Sequence, residues 1–309
     1  MPVDQRIVAL LAEAERIDPR PIEVLSIAEA RARGGSVNAA PALAPEPVAD
    51  VRDVVIGTLP PISARLYRPR SGTLPLLVYF HGGGWVVGSV ALADPFCRAI
   101  ANASSCAVLS VEYRLAPEDR FPAAADDAYA ATRWSADHAS ELGIDPSRIA
   151  VGGSSAGGNL AAVVTLMARE RGAPEIAFQL LHVPVTDHDF GTASYRANGT
   201  GFGLTLKGMQ WFWDHYAPDP RTRDEPFASP LRATDLSGLP PAHVVTAECD
   251  PLRDEGKAYA ARLLEAGVAT TYVEYPGMVH GFTGMAMAIP LGRTAIDDMG
   301  AALRRALAE

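Results

Sequence analysis

The chain has 309 residues and a formal net charge of −9, with 48% apolar and 20% charged residues. This composition is ordinary for a globular protein, and the acidic balance argues against a nucleic-acid or anionic-membrane partner. Because no run of about 18 apolar residues is present, we expect no membrane-spanning helix. Charged residues scattered through positions 1–20 argue against a secretory signal peptide. The sequence therefore predicts a cytoplasmic protein.

The three cysteines, Cys97, Cys106 and Cys249, do not form a recognisable pattern. An odd number of widely spaced cysteines is neither a disulfide framework nor a metal-binding motif. We expect buried thiols in a reducing compartment. Nothing in the sequence predicts a metal or another cofactor.

Taken in chain order, the apolar patterns predict an α/β fold. Residues 4–15 and 21–33 have helical spacing, and 34–50 is a connection rich in Gly, Ala and Pro. Strands are predicted over 51–58, 62–67, 74–80, 107–111, 148–152, 177–185, 243–247 and 271–275, and further helices over 122–139, 156–171, 254–266 and 291–308. Continuous apolar strands that alternate with helices indicate a mostly parallel sheet, flanked by helices on both faces.

The segment 186–225 does not follow this alternation, since it is rich in glycine, aromatic and polar residues. Long segments of this kind in compact domains are often lids or binding loops. We therefore predict N-terminal cap helices over 1–45, a catalytic domain over 46–185 and 226–309, and a cap insertion over 186–225.

A glycine-rich run at 152–158 provides the sharpest chemical signal. The pattern Gly-x-Ser-x-Gly fits only with Ser155 at its centre, because a frame centred on Ser154 would need glycine where Ala156 stands. In such a nucleophile elbow, small neighbours allow a sharp turn from strand to helix. Taken alone, the run is also compatible with a glycine-rich turn that has no chemical role.

A second run, His81-Gly82-Gly83-Gly84-Trp85, follows the strand predicted at 74–80. An oxyanion needs two or three convergent backbone N–H groups, and glycines allow the chain to present them. This is the HGGG-type loop of esterases and lipases. We predict Gly83 and Gly84 as donors, with the amide of Ala156 as the third.

The general base and its acid are predicted from chain order. His280 is the last of the seven histidines and follows the strand predicted at 271–275, as the order Ser, acid, His requires. Asp250 lies just past the strand predicted at 243–247, where it would accept the imidazole N–H and fix its tautomer. Glu248, Asp254 and Glu255 are rivals for this role, but acidic side chains such as Asp254 and Glu255 also suit the start of a helix.

With these residues in hand, the chain resembles the bacterial hormone-sensitive-lipase family of esterases from about residue 50 to the end. The shared motifs are HGGGW at 81–85, EYRLAPE at 112–118, FPAAADD at 121–127, GSSAGGN at 153–159, DPLRDEG at 250–256 and HGF at 280–282. The resemblance implies an α/β-hydrolase fold with an eight-stranded sheet and a helical cap. It also implies hydrolysis of short-chain esters and the same oxyanion donors. The chain departs from the family at Ser154, where an aspartate is usual.

These observations predict a carboxylesterase that acts on small esters of short- to medium-chain acids through an acyl-enzyme on Ser155. Trp85, Phe202, Trp211 and Phe282 are predicted to line the substrate pocket. Three alternatives stay open: an amide or formamide hydrolase with the same triad, a long-chain lipase, and a ligand-binding receptor on a disabled scaffold. Residues 271–275 and the C-terminal helix are available for a homodimer.

Overall fold

The computed structural model describes residues 3–37 and 45–308, without the side chains of residues 34–37. Its centre is a sheet of eight strands: β1 Asp50–Ile56, β2 Ile62–Arg68, β3 Leu74–Phe80, β4 Ala107–Glu112, β5 Ile144–Ser154, β6 Phe178–His182, β7 Ala242–Cys249 and β8 Thr270–Val279. The spatial order is β1-β2-β4-β3-β5-β6-β7-β8. The ladders β1–β2 and β2–β4 are antiparallel and the others parallel, which confirms the predicted fold.

Helices cover both faces of this sheet. They are α1 Gln5–Ile17, α2 Ile27–Val37, α3 Val90–Ser104, α4 Ala123–Asp137, α5 Ala139–Leu142, α6 Ala156–Arg171, α7 Ala193–Asn198, α8 Leu206–Tyr216, α9 Pro220–Arg223, α10 Arg253–Glu265 and α11 Pro290–Ala306. None of the described helices is long and apolar enough to cross a membrane. The three cysteines are buried free thiols.

Strand β3 shows why the central strands have a continuous apolar sequence. All seven of its residues are buried, because successive side chains point to opposite faces that are both covered. Val78 and Phe80 join the core under α4, α6, α8 and α10, whereas Leu77 and Tyr79 join the core under α3 and α11. Burial on both sides fixes the strand in the middle of the molecule.

Helix α3 was missing from the sequence-based prediction. Pro95 lies in its interior, and a proline usually ends or kinks a helix, so the apolar spacing of 90–104 was not recognised. The parallel pairing of β3 with β4 requires a crossover connection between them, and α3 provides it.

Strand β8 is longer than predicted and ends at Val279 instead of residue 275. Its pairing with β7 shifts register after Ala247 and resumes where Cys249 faces Val279. The apparent loop at Pro276-Gly277 is therefore part of the strand. As a consequence, the residues that follow Cys249 and Val279 leave the sheet side by side.

The segments predicted to form a cap lie outside the sheet. The N-terminal one carries α1, α2 and a 3-10 turn at Ile22–Val24, and the insertion after β6 carries α7, α8 and α9. Helix α8 packs against the 3-10 turn, so the two segments meet. Predicted cap residues 38–44 lie outside the described residues.

Candidate active site

Ser155 stands between the end of β5 and the start of α6. Its backbone has φ 58° and ψ −119°, a region that costs a non-glycine residue on the order of 1–3 kcal/mol. Three main-chain hydrogen bonds hold it there: Ser155 N donates to His182 O at 2.9 Å, and Ser155 O accepts from Asn159 N at 3.0 Å and Val185 N at 3.2 Å. The serine is thus strained and fixed, as a nucleophile elbow requires.

Gly157 explains how the elbow turns so sharply. A methyl group at this position would lie 1.9 Å from the carbonyl oxygen of Phe80 and 2.6 Å from that of His81. Only glycine lets α6 start this close to the end of β3. The close approach places Ser155 next to the loop that begins at His81.

Asp250 and His280 follow directly after β7 and β8. Asp250 Oδ2 lies 2.7 Å from His280 Nδ1, and Asp250 Oδ1 accepts from Leu252 N at 2.9 Å. The carboxylate is fully buried. With both oxygens occupied by N–H donors, the carboxylate holds the imidazole with its proton on Nδ1. The other ring nitrogen, Nε2, is then left to accept a proton.

The loops that follow β3, β5 and β8 line one cavity of about 230 Å³ at the carboxyl edge of the sheet. Its lining includes residues 81–83, Ser154 beside the serine elbow, and residues 281, 283 and 284 just after His280. In the described part of the chain, no hydrogen bond joins the Ser155 hydroxyl to His280. Such bonds are often long in a free enzyme and form fully only with substrate.

The glycine loop turns back on itself between Gly83 and Val87. Gly83 has φ 123°, and a side chain there would meet Val87 O at 2.1 Å, so the turn requires glycine. Gly83 O accepts from Val86 N at 3.1 Å and Val87 N at 2.9 Å. Among the described residues, the N–H groups of Gly83 and Gly84 have no hydrogen-bond partner.

Two further features place this turn beside the serine. A methyl group on Gly82 would lie 3.6 Å from Ser155 Cβ. Ala156 is the first residue of α6, and the first N–H groups of a helix have no acceptor within the helix. The arrangement supplies three candidate donors to one oxygen, at a helix N-terminus that favours negative charge.

His81 belongs to the framework of the site. Its ring stacks on Tyr113, with 4.3 Å between the centroids, and the Tyr113 hydroxyl donates to His81 O at 2.8 Å. Burial lowers the pKa of His81 to about 4, so the ring is neutral at pH 7. Among the described residues, no group of three or more His, Cys, Asp or Glu side chains is arranged to hold a metal ion.

His182, which sequence reasoning passed over, lies under the site on β6. Its ring is buried beside Phe96 and Phe282. Neither ring nitrogen has a hydrogen-bond partner among the described residues. Burial, together with the charge of His280, lowers the pKa of His182 to about 3. This histidine is therefore neutral, and its main-chain carbonyl, rather than its ring, supports the elbow.

Helix α7 holds the loop of the acid, a contact that the sequence did not reveal. Asn198 Nδ2 donates to Glu248 O at 3.1 Å and to Asp250 O at 3.2 Å. Ser194 Oγ donates to Pro251 O at 2.7 Å. These residues lie some 50 to 60 positions before their partners, so no local motif connects them. The segment 186–225 thus supports the loop that carries Asp250.

The four aromatic residues predicted to line the substrate pocket do not line the cavity of about 230 Å³ beside Ser155. Trp85 is fully buried and stacks on Tyr216 with 4.1 Å between the centroids, and Phe282 is also fully buried. Phe202 and Trp211 are half-buried. The apolar side chains that line the cavity beside the elbow are instead those of Tyr79, Val87, Leu92, Ala93 and Phe96. The aromatic pocket stays a prediction.

Comparison with known proteins agrees with this geometry. The family model described as alpha/beta hydrolase fold matches residues 77–284. A carboxylesterase, NlhH, of Mycobacterium tuberculosis is 43% identical over 283 residues, which cover 90% of this chain and 89% of that protein. An ethyl acetate hydrolase of Pseudomonas putida is 43% identical over 235 residues, with 74% and 72% covered.

Among solved structures, a hyperthermophilic esterase from the archaeon Pyrobaculum calidifontis superimposes with a TM-score of 0.94 at 42% identity and covers 99% of each chain. A thermostable esterase from Pseudomonas putida ECU1011 has a TM-score of 0.93 at 41% identity and covers 100% of this chain and 98% of its own. The chain belongs to the α/β-hydrolase family, and its resemblance to the esterases of the hormone-sensitive-lipase type is confirmed.

Proposed function

We propose that this protein is a serine carboxylesterase in which Ser155, His280 and Asp250 form the catalytic triad. The observation that carries the proposal is the 2.7 Å contact between His280 Nδ1 and a fully buried Asp250 carboxylate, beside a serine on a strained elbow. The relatives named as carboxylesterase and ethyl acetate hydrolase support an ester as the substrate.

In the acylation step, His280 Nε2 takes the proton of the Ser155 hydroxyl while its Oγ attacks the ester carbonyl carbon. The negative charge that develops on the carbonyl oxygen is stabilised by the amides of Gly83, Gly84 and Ala156. The intermediate then collapses, and His280 returns the proton to the departing alkoxide. An alcohol leaves, and the acyl group stays bound to Ser155 as an ester.

In the deacylation step, His280 removes a proton from water as the water oxygen attacks the acyl carbon. The same three amides stabilise the second oxyanion, and the Ser155 oxygen regains its proton when the carboxylic acid leaves. Throughout, Asp250 keeps its hydrogen bond to His280 and stabilises the imidazolium that forms. The reaction needs only the ester, water and this chain's own residues.

The substrates are proposed to be small esters of short- to medium-chain acids. A cavity of about 230 Å³ beside the elbow suits a short chain. Residues 1–45 and 186–225 are proposed to form the cap, since they carry helices outside the sheet that contact the acid loop and the oxyanion turn. We place the enzyme in the cytoplasm, where the three buried thiols stay reduced. A homodimer through the edge strand β8 stays a prediction that analytical ultracentrifugation tests.

The proposal is tested by hydrolysis of p-nitrophenyl esters from acetate to palmitate. The wild-type rate should peak at short acyl chains, and Ser155→Ala should lower kcat on the order of 10⁶-fold. Ser154→Ala is the matched control, because it removes the adjacent hydroxyl and leaves the triad intact. Near-normal turnover by Ser155→Ala would refute the assignment. Faster cleavage of matched p-nitroanilides than of the esters would favour the amide hydrolase.

A further inference from the structure

We propose that Arg31, in helix α2, is a positioning residue for the oxyanion hole. Its guanidinium ties the N-terminal segment to the turn that carries Gly83 and Gly84. The inference rests on the proposed function, since it has no meaning unless those two amides stabilise the oxyanion.

Arg31 binds two main-chain carbonyls from two different loops. Its Nε donates to Val86 O at 3.0 Å, and its Nη2 donates to Ala116 O at 3.1 Å. Glu118 accepts two further hydrogen bonds, from Nη1 at 2.9 Å and from Nη2 at 2.6 Å. The planar guanidinium offers its N–H groups in a rigid fork, so the carboxylate orients it while it holds the carbonyls.

The carbonyl of Val86 belongs to the oxyanion turn itself. Val86 N donates to Gly83 O within that turn, and Ala116 N donates to Trp85 O at 2.9 Å. Arg31 therefore closes a network in which the turn and the loop at 113–118 hold each other. A shift of Val86 moves Gly83 through a single hydrogen-bonded turn. Oxyanion donors must be held within about 0.5 Å of their productive position.

Helix α8 supports the same turn from the cap insertion. A methyl group on Gly84 would lie 2.2 Å from the ring of Phe212, so the glycine backbone lies directly against that side chain. Trp85 stacks on Tyr216 with an interplanar angle of 7°. The turn that presents the two amides is thus held by α2 through polar contacts and by α8 through apolar ones.

If Arg31 only stabilised the fold, its replacement would have a different effect. The Arg31 side chain is 33% exposed and that of Glu118 57%, and an exposed ion pair contributes only about 0–1 kcal/mol to folding. Loss of such a pair would lower the melting temperature slightly and leave catalysis unchanged. Loss of a positioning contact would lower kcat and leave KM nearly unchanged, because the oxyanion forms only after the substrate has bound.

The test compares Arg31→Met, Arg31→Lys and the control Arg20→Met. Arg20 lies in the same segment and bonds Asp18 and Glu29, so its loss removes ion pairs that do not reach the oxyanion turn. kcat and KM are measured on p-nitrophenyl butyrate. In parallel, the affinity for an aliphatic trifluoromethyl ketone is measured. Ser155 Oγ adds to that carbonyl carbon while His280 takes the proton, which leaves an oxyanion in the hole.

Removal of one donor typically costs about 10²–10³ in kcat, so donors that are only loosened should cost about threefold to tenfold. Arg31→Met should lower kcat and ketone affinity by the same factor, with KM within about twofold. Arg31→Lys keeps the charge but loses the fork, so it should fall between Arg31→Met and wild type. Arg20→Met should match the wild type.

The proposal is overturned if Arg31→Met keeps wild-type kcat and ketone affinity, or if Arg20→Met loses as much as Arg31→Met. If Arg31→Met does not fold, a wild-type kcat and ketone affinity in Arg31→Lys would overturn the proposal equally. Failure of the proposed function is recognised separately, because the wild-type protein itself would then neither hydrolyse the ester nor bind the ketone covalently.

Discussion

The substitution Asp250→Asn should inactivate the enzyme by reversing the tautomer of His280. Both carboxylate oxygens of Asp250 face N–H donors, Leu252 N at 2.9 Å and His280 Nδ1 at 2.7 Å. An asparagine has one oxygen and one NH₂ group. The main-chain amide of Leu252 cannot change its role, so the oxygen must face Leu252 and the NH₂ must face His280.

An imidazole that accepts a hydrogen bond at Nδ1 carries its proton on Nε2 and cannot take one from Ser155. The same substitution in a Ser-His-Asp protease lowers kcat about 10⁴-fold. At about 1.4 kcal/mol per tenfold change, we expect Asp250→Asn to lose about 5 kcal/mol of transition-state stabilisation. KM and the fold should change little, since the two residues have nearly the same volume.

Initial rates on p-nitrophenyl butyrate measure this loss, and nitrogen-15 NMR of the imidazole reports the tautomer directly. Wild-type His280 should show its proton on Nδ1, and the variant should show it on Nε2. A variant that keeps its rate within about tenfold of the wild type, or that keeps the Nδ1 proton, would show that Asp250 does not set the tautomer of His280.

Three further predictions concern the support of the site. Asn198→Ala leaves two main-chain carbonyls of the acid loop without their donor, so the free energy of unfolding should fall by about 1–3 kcal/mol and kcat should fall with it. Denaturant melts and initial rates measure the two effects, and wild-type values of both would contradict this prediction. Gly157→Ala would place a methyl group 1.9 Å from Phe80 O and should destabilise the fold by more than about 4 kcal/mol. The control Gly57→Ala should be neutral, because a methyl group there would have nothing within 4 Å. Equal melting temperatures of the two variants would contradict the predicted clash at Gly157. Burial lowers the pKa of His182 from 6.5 to about 3. Below pH 6.5 the unfolded chain therefore binds a proton at this residue, whereas the folded chain does not. The contribution of His182 to stability is therefore complete above pH 6.5 and is lost as the pH falls toward 3, where the free energy of unfolding changes by up to about 1.4 kcal/mol per pH unit. His182→Leu should flatten this dependence of unfolding free energy on pH. An unchanged dependence would show that the pKa of His182 is not lowered in the folded protein.

Short motifs were enough to predict the residues of the proposed site. The frame around Ser155, the glycine turn at 82–84 and the order of Asp250 and His280 depend on local steric needs and chain order, both of which a sequence displays. The structure places these residues at one edge of the sheet, and the Asp250–His280 contact is formed. The mostly parallel sheet followed in the same way from the alternation of apolar strands and helices, whereas the spatial order of its strands was not predicted.

Features that depend on tertiary contacts were not predictable. Helix α3 has Pro95 in its interior, and a proline usually ends or kinks a helix, so the sequence pattern did not indicate a helix there. The support that Asn198 and Arg31 give to the active-site loops comes from helices outside the sheet, and their partners are distant in sequence. Trp85 is fully buried and stacks on Tyr216, a packing contact between distant residues that the sequence does not display.

Ser155, and not the adjacent Ser154, is the proposed nucleophile. A fluorophosphonate reports this directly: the serine oxygen attacks phosphorus, fluoride leaves, and a stable phosphonate ester remains for peptide mapping by mass spectrometry. We predict a single adduct on Ser155, full labelling of Ser154→Ala, and none of Ser155→Ala. An adduct mapped to Ser154, or labelling that survives Ser155→Ala, would contradict the assignment of Ser155 as the nucleophile.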